Sequence, residues 1–137
     1  MTYKILIVDD DENIRTVLVN AFSKDYLVFT APDGETALEL IKSENPDLVF
    51  LDITLPGLSG LDVLVGVKEA GLSPLVWMLT GQDDLSIATK ALELGASGYQ
   101  TKPFDVAKLR QIASDEVSSG GGKGKDGDKP WSVKKTE

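Results

Sequence analysis

The chain has 137 residues, a length typical of one domain, and carries 14 Lys and Arg against 22 Asp and Glu, a formal net charge of −8. It contains neither cysteine nor histidine, which excludes thiol catalysis, disulfide scaffolds, a histidine base and a phosphohistidine intermediate on this chain. The acidity argues against nucleic-acid binding, and no apolar run reaches the roughly 18 residues that span a bilayer. We therefore expect a cytoplasmic domain that binds neither nucleic acid nor membrane.

Short apolar runs alternate with amphipathic segments five times along the chain. The first run, Lys4–Val8, is continuous and β-branched, as is typical of a strand buried on both faces, and a helical pattern follows it over Asp11–Ser23. Further strands are predicted at Tyr26–Thr30, Asp47–Leu51 and Leu75–Leu79 and around Tyr99. This alternation predicts an α/β fold, a flavodoxin-like, doubly wound (βα)5 arrangement whose five-stranded parallel sheet has the strand order 2-1-3-4-5.

The helical segments carry apolar residues at the spacing of one helix face, and we expect these residues to point into the core. In the first helix they include Val17 and Leu18, and in the fourth they are Leu85, Ala88 and Leu92.

The composition changes after Val117 to Gly, Lys, Asp and Ser. Residues 118–137 hold five Lys and three acids, net +2, which leaves 9 basic and 19 acidic residues in 1–117, net −10. We predict a folded domain over residues 1–117 and a flexible Gly/Lys-rich tail or linker over residues 118–137.

Polar residues follow four of the five predicted strands. Asp9 and Asp10 follow the first strand, Asp52 the third, Thr80 the fourth and Lys102 the fifth. The carboxyl ends of parallel strands meet at one edge of the sheet, and strands one and three are neighbours in the predicted order. We therefore expect Asp9 and Asp10 to face Asp52 across the crevice.

Three adjacent carboxylates cannot all stay ionised without a counter-charge, and Mg²⁺, a hard cation that binds oxygen, would supply one. Lys102 adds a cation and Thr80 a hydroxyl donor. A nucleophilic carboxylate, a metal and a cation are what phosphoryl transfer to an aspartate needs. Asp52 is the predicted nucleophile because it lies between the acids and the lysine, whereas Asp9 and Asp10 suit the metal.

Four segments then resemble the motifs of a known family in order and spacing. They are Ile5–Asp11 (ILIVDDD), Pro46–Gly60 (PDLVFLDITLPGLSG), Met78–Thr80 and Gly95–Phe104 (GASGYQTKPF). Together they resemble the response-regulator receiver domains of two-component signalling, and the resemblance covers about residues 3–117.

The resemblance implies roles for the acidic residues. Asp52 would be the phosphoacceptor, Asp10 would bind Mg²⁺ directly and Asp9 would bind it mainly through water. The backbone carbonyl of Thr54 would be the other protein ligand.

The resemblance also implies a switch and partners. Thr80 and Lys102 would contact the phosphoryl group, the Lys102–Pro103 peptide would be cis, and Tyr99 would turn inward as Thr80 moves. A sensor histidine kinase or a histidine phosphotransfer protein would donate the phosphoryl group. The fourth helix, fifth strand and fifth helix would contact a downstream effector domain or protein, or a second copy in a phosphorylation-dependent homodimer.

Two other functions compete with a phosphorylation switch. A pseudo-receiver would bind partners without phosphorylation, although the complete acid set disfavours it. A phosphatase of the haloacid-dehalogenase type needs Asp-x-Asp, whereas Asp52-Ile53-Thr54 lacks the second acid. We therefore expect no enzyme activity beyond the chain's own phosphorylation and slow autodephosphorylation.

Overall fold

The computed structural model describes residues 2–81 and 85–118, apart from the side chains of Leu85 and Ser118. Strands and helices alternate throughout this part of the chain, as predicted. In chain order they are β1 (Lys4–Val8), α1 (Glu12–Phe22), β2 (Leu27–Ala31), α2 (Gly34–Glu44), β3 (Leu48–Asp52), α3 (Gly60–Glu69), β4 (Leu75–Thr80), α4 (Leu85–Glu93), β5 (Gly98–Thr101) and α5 (Val106–Ser118).

The five strands form one parallel sheet in the order β2-β1-β3-β4-β5, which confirms the predicted fold class and topology. Side chains alternate across the sheet. Ile5 and Ile7 of β1 contribute to the core shared with α1 and α5, whereas Leu6 and Val8 contribute to the core shared with α2, α3 and α4. Helices thus cover both faces, and the carboxyl ends of the strands stay open at one edge.

The strands β2, β3 and β4 each end one residue later than predicted, and at β3 and β4 this matters for the site. Asp52 is the last residue of β3, opposite Leu79, and the N–H of Ile53 continues the ladder to the Leu79 carbonyl at 3.1 Å. Thr80 is likewise the last residue of β4 and pairs with Thr101. Both polar side chains are therefore positioned by sheet hydrogen bonds rather than by a loop.

Two side chains that were predicted to point inward do not. Val17 of α1 is 49% exposed and Leu92 of α4 is 39% exposed. In α4 the buried positions are Ala88 and Ala91, which lie three residues apart on one face, so that Leu92 falls at the edge of that face. In α1, Leu18 and Phe22 are four residues apart and turn Val17 outward in the same way.

The fifth helix extends through Ser118, the first residue that was assigned to the tail. The rest of that predicted tail, residues 119–137, lies outside the described residues. Within the described ranges, no helix combines the length and apolar character needed to cross a lipid bilayer.

Candidate functional site

The predicted polar residues meet at the carboxyl edge of the sheet. Asp9 directly follows β1, Asp52 and Thr80 end β3 and β4, and Lys102 directly follows β5. Since β1 and β3 are hydrogen-bonded neighbours, their acidic residues lie side by side, as expected.

Asp9 is fully buried, and each of its polar groups has a partner. Its N–H donates to the Ala31 carbonyl at 3.1 Å, and its carbonyl accepts from Nη1 of Arg15 at 2.8 Å. Its Oδ1 accepts from the N–H of Asp11 at 2.9 Å, and its Oδ2 accepts from Nζ of Lys102 at 2.9 Å. Both the backbone and the carboxylate of Asp9 are therefore held in place.

Asp52 contacts the same ammonium group of Lys102 that Asp9 does. Its Oδ2 accepts from Nζ of Lys102 at 3.1 Å, and its Oδ1 accepts from the N–H of Thr54 at 3.1 Å. Burial raises the pKa of the Asp52 carboxyl, the positive charge of Lys102 opposes this rise, and the negative charge of Asp9 adds to it. Burial alone would lower the pKa of Lys102, but its hydrogen bonds and ion pairs with Asp9 and Asp52 outweigh burial and raise it. The lysine therefore stays charged between two carboxylates.

The acidic cluster suits a hard divalent cation. Oxygen atoms of Asp9, Asp10 and Asp52 lie within 4.8 Å of one another, and Asp10 is exposed whereas the other two are buried. Carboxylate oxygens are ligands that Mg²⁺ prefers, and one exposed carboxylate leaves room for the waters that Mg²⁺ retains. The residues present thus fit Mg²⁺. The predicted ligand role of the Thr54 carbonyl stays a prediction.

Thr80 and Tyr99 occupy different environments. Thr80 is fully buried, its Oγ1 donates to the Gly81 carbonyl at 3.1 Å, and its own carbonyl accepts from the N–H of Lys102 at 2.7 Å. The Lys102–Pro103 peptide is cis, as predicted. Tyr99 is 39% exposed on the edge strand β5. The described contacts join Thr80 to the site through Lys102, and the switch role of Tyr99 stays a prediction.

Two residues at the site were missed by the sequence analysis. One is Arg15, whose guanidinium reaches the Asp9 carbonyl from α1. The other is Gly60, where a Cβ atom would lie 2.6 Å from the carbonyl oxygen of Asp52. Gly60 closes the segment Pro46–Gly60 quoted above, but neither contact could be read from the sequence, because both depend on how close a helix start lies to a strand end.

Comparisons with known proteins agree with this geometry. Residues 5–114 match the family described as response regulator receiver domain. The chain is 45% identical over 105 residues to the alkaline phosphatase synthesis transcriptional regulatory protein PhoP of Bacillus subtilis (strain 168), covering 76% of this chain and 44% of that protein. It is 39% identical over 111 residues to sporulation initiation phosphotransferase F of the same organism, covering 80% of this chain and 90% of that protein. The chain thus spans less than half the length of the first relative and most of the second.

Solved structures of receiver domains have a similar fold. The signal receiver domain of an HD domain-containing protein from Pseudomonas fluorescens Pf-5 has a TM-score of 0.80 at 30% identity, covering 87% of this chain and 97% of that one. The receiver domain of NtrX from Brucella abortus has a TM-score of 0.74 at 35% identity, covering 80% and 94%. The fold, the acidic site and the family match over residues 5–114 agree, and the chain belongs to the response regulator receiver domains of two-component signalling.

Proposed function

We propose that this chain is a phosphorylation switch in which Asp52 accepts a phosphoryl group from a separate donor. The donor is external because the chain has no histidine, and a sensor histidine kinase or a histidine phosphotransfer protein fits that requirement. The observation that carries the proposal is the bridge formed by Nζ of Lys102, 2.9 Å from Asp9 and 3.1 Å from Asp52, beside the exposed Asp10.

In the proposed step, an ionised carboxylate oxygen of Asp52 attacks the phosphorus of a phosphohistidine. The P–N bond breaks, and the imidazole nitrogen keeps the bonding electron pair and takes a proton from solvent. Lys102 favours the ionised form of Asp52 before attack and pairs with phosphoryl oxygens afterwards. Mg²⁺, held by Asp9, Asp10, Asp52 and the carbonyl of Thr54, would supply the positive charge that offsets the phosphoryl oxygens.

The proposed switch begins at Thr80, whose hydroxyl would leave its contact with Gly81 and donate to the phosphoryl group. Tyr99 would then turn from its exposed position toward the space that Thr80 leaves. The surface formed by α4, β5 and α5 would pass this change to an effector or to a second copy of the chain. The chain would catalyse only its own phosphorylation and slow autodephosphorylation, and a cytoplasmic location forms part of the proposal.

The names of the two relatives support two settings for such a switch. One is named a phosphotransferase and matches this chain along 90% of its length, and the other is named a transcriptional regulatory protein and matches along 44%. A stand-alone phosphorelay component and the receiver of a longer regulator are both consistent with a receiver domain that ends with α5 at Ser118, followed by a proposed linker or tail over residues 119–137.

Incubation with acetyl phosphate and Mg²⁺ tests the proposal directly. We expect intact-mass spectrometry to show one acid-labile phosphoryl group on the wild-type chain, and none when Asp52→Asn replaces it or when EDTA removes the metal. Asp25→Asn is the matched control, since the Asp25 carboxylate is exposed and lies away from the site, 4.0 Å from Nη2 of Arg110. An equal adduct on Asp52→Asn would contradict the assignment of Asp52, and no adduct on the wild type would favour a pseudo-receiver.

A further inference from the structure

Arg15 is the fourth residue of α1. Its half-buried side chain extends back toward the loop that contains Asp9 and Asp10. Its Nη1 donates to the carbonyl of Asp9 at 2.8 Å, across six residues of sequence. We propose that Arg15 is a positioning residue of the Mg²⁺ site, acting through this one hydrogen bond. The inference rests on the proposed function, because it takes Asp9, Asp10 and Asp52 as the metal-binding residues.

The hydrogen bond acts on the peptide group that joins the two adjacent acids. The carbonyl of Asp9 and the N–H of Asp10 belong to the same planar unit, so fixing that oxygen also fixes the plane from which the Asp10 side chain begins. The remaining sides of the loop are already held: the Asp9 carboxylate by Asp11 and Lys102, and the Asp9 N–H by Ala31. Among the described hydrogen bonds, the one from Arg15 holds the Asp9–Asp10 peptide plane in its orientation relative to α1.

The charge of Arg15 and its hydrogen bond are expected to have opposite effects on the affinity for Mg²⁺. A guanidinium held beside a cation site repels Mg²⁺, so removal of that charge by itself would tighten binding. Loss of the hydrogen bond would instead let the Asp9–Asp10 peptide rotate and weaken binding, as removal of residues that orient metal ligands commonly does. The sign of the change in Mg²⁺ affinity therefore separates positioning from electrostatics.

The experiment is an MgCl2 titration of the full chain, followed by backbone amide chemical shifts, without any phosphodonor. We expect Arg15→Gln and Arg15→Met to raise the Mg²⁺ dissociation constant by about 10-fold, toward the low end of the roughly 10–100-fold seen for residues that orient metal ligands. Arg15→Lys, which keeps a cationic donor, recovers part of the affinity. Arg110→Gln removes an equal charge from an exposed site on α5 and leaves the constant unchanged.

Neutral Arg15 variants that bind Mg²⁺ as tightly as the wild type, or more tightly, would overturn the positioning role. So would Arg15→Lys binding as weakly as the neutral variants. Two neutral variants are used so that one remains if the other does not fold, and thermal unfolding without Mg²⁺ shows which are folded. A wild-type chain that does not bind Mg²⁺ would instead overturn the metal site of the proposed function.

Discussion

One ammonium group holds two buried carboxylates together at the end of the sheet. Lys102 contacts both Asp9 and Asp52, while burial and the neighbouring carboxylate raise the pKa of Asp52. A carboxyl group whose pKa is higher in the folded state stabilises the fold only at low pH, and this contribution is lost as pH rises through the folded pKa. At neutral pH and without metal, the ionised Asp52 therefore lowers the stability of the fold.

Asp52→Asn should consequently be more stable than the wild type at pH 7 in the absence of Mg²⁺, and this advantage should shrink as pH falls. Urea unfolding at a series of pH values below 7 measures the difference in the free energy of unfolding. The raised pKa of Lys102 does not interfere, because its stabilising contribution is complete below its unfolded pKa and is lost only in the alkaline range. An Asp52→Asn variant that is less stable at every pH would show that pairing with Lys102 outweighs burial.

Sequence reasoning placed the acids and the lysine together because each follows a strand, and strand ends in a parallel sheet share one edge. It did not find Arg15, since helical periodicity gives the face of α1 on which a residue lies but not the path of the preceding loop. The contact of Arg15 with Asp9 depends on that path.

At the scale of elements, the start of α3 lies against the end of β3. A Cβ atom at Gly60 would come within 2.6 Å of the Asp52 carbonyl oxygen and 2.9 Å of the Ile53 Cα, and both are backbone atoms that cannot move aside independently. The N–H of Gly60 donates to the Ile53 carbonyl at 2.9 Å, which fixes this close approach. Glycine at this position lets α3 begin directly beneath the predicted phosphoacceptor.

Gly60→Ala should lower the free energy of unfolding by about 1–3 kcal/mol, because one extra carbon forces the helix away from the strand. Gly66→Ala, in the same helix, is the control. There the added Cβ would meet the flexible side chain of Leu38 at 2.8 Å, and alanine favours the helix by roughly 1 kcal/mol over glycine. Chemical denaturation of both variants measures their free energies of unfolding, and we expect the lower value for Gly60→Ala. A Gly60→Ala variant as stable as Gly66→Ala would contradict this prediction.

The apolar patterns predicted the helices well but not the limits of their buried faces. Val17 and Leu92 fit the helical spacing and are nevertheless exposed, because the sheet covers a narrower stripe than the spacing allows. In α4, Ala88 and Ala91 form that stripe. The spacing of apolar residues gives the direction of the apolar face of a helix, but not how far around the helix the neighbouring elements cover it.

Over the whole molecule, residues 1–117 carry a net charge of −10, and we expect the acidic cluster of Asp9, Asp10 and Asp52 to make the stability of the fold depend on divalent cations. A ligand that binds only the folded state stabilises it by RT ln(1 + [L]/Kd), or about 1.4 kcal/mol at a free concentration ten times the dissociation constant. We expect MgCl2 to raise the unfolding temperature, and Asp10→Asn to lose most of this gain. NaCl at matched ionic strength separates specific binding from screening. An equal gain for Asp10→Asn would mean that the acidic cluster is not the binding site.

The ion pairs of the site join parts of the chain that are far apart in sequence. Lys102 is 93 residues from Asp9 and 50 residues from Asp52, and the sheet must pair from β1 through β5 before these side chains can meet. A chain in which β5 has not yet paired with β4 would have Asp52 in place without Lys102 beside it. If Asp52 is the phosphoacceptor, we therefore expect its phosphorylation to require the paired sheet that brings Lys102 beside it.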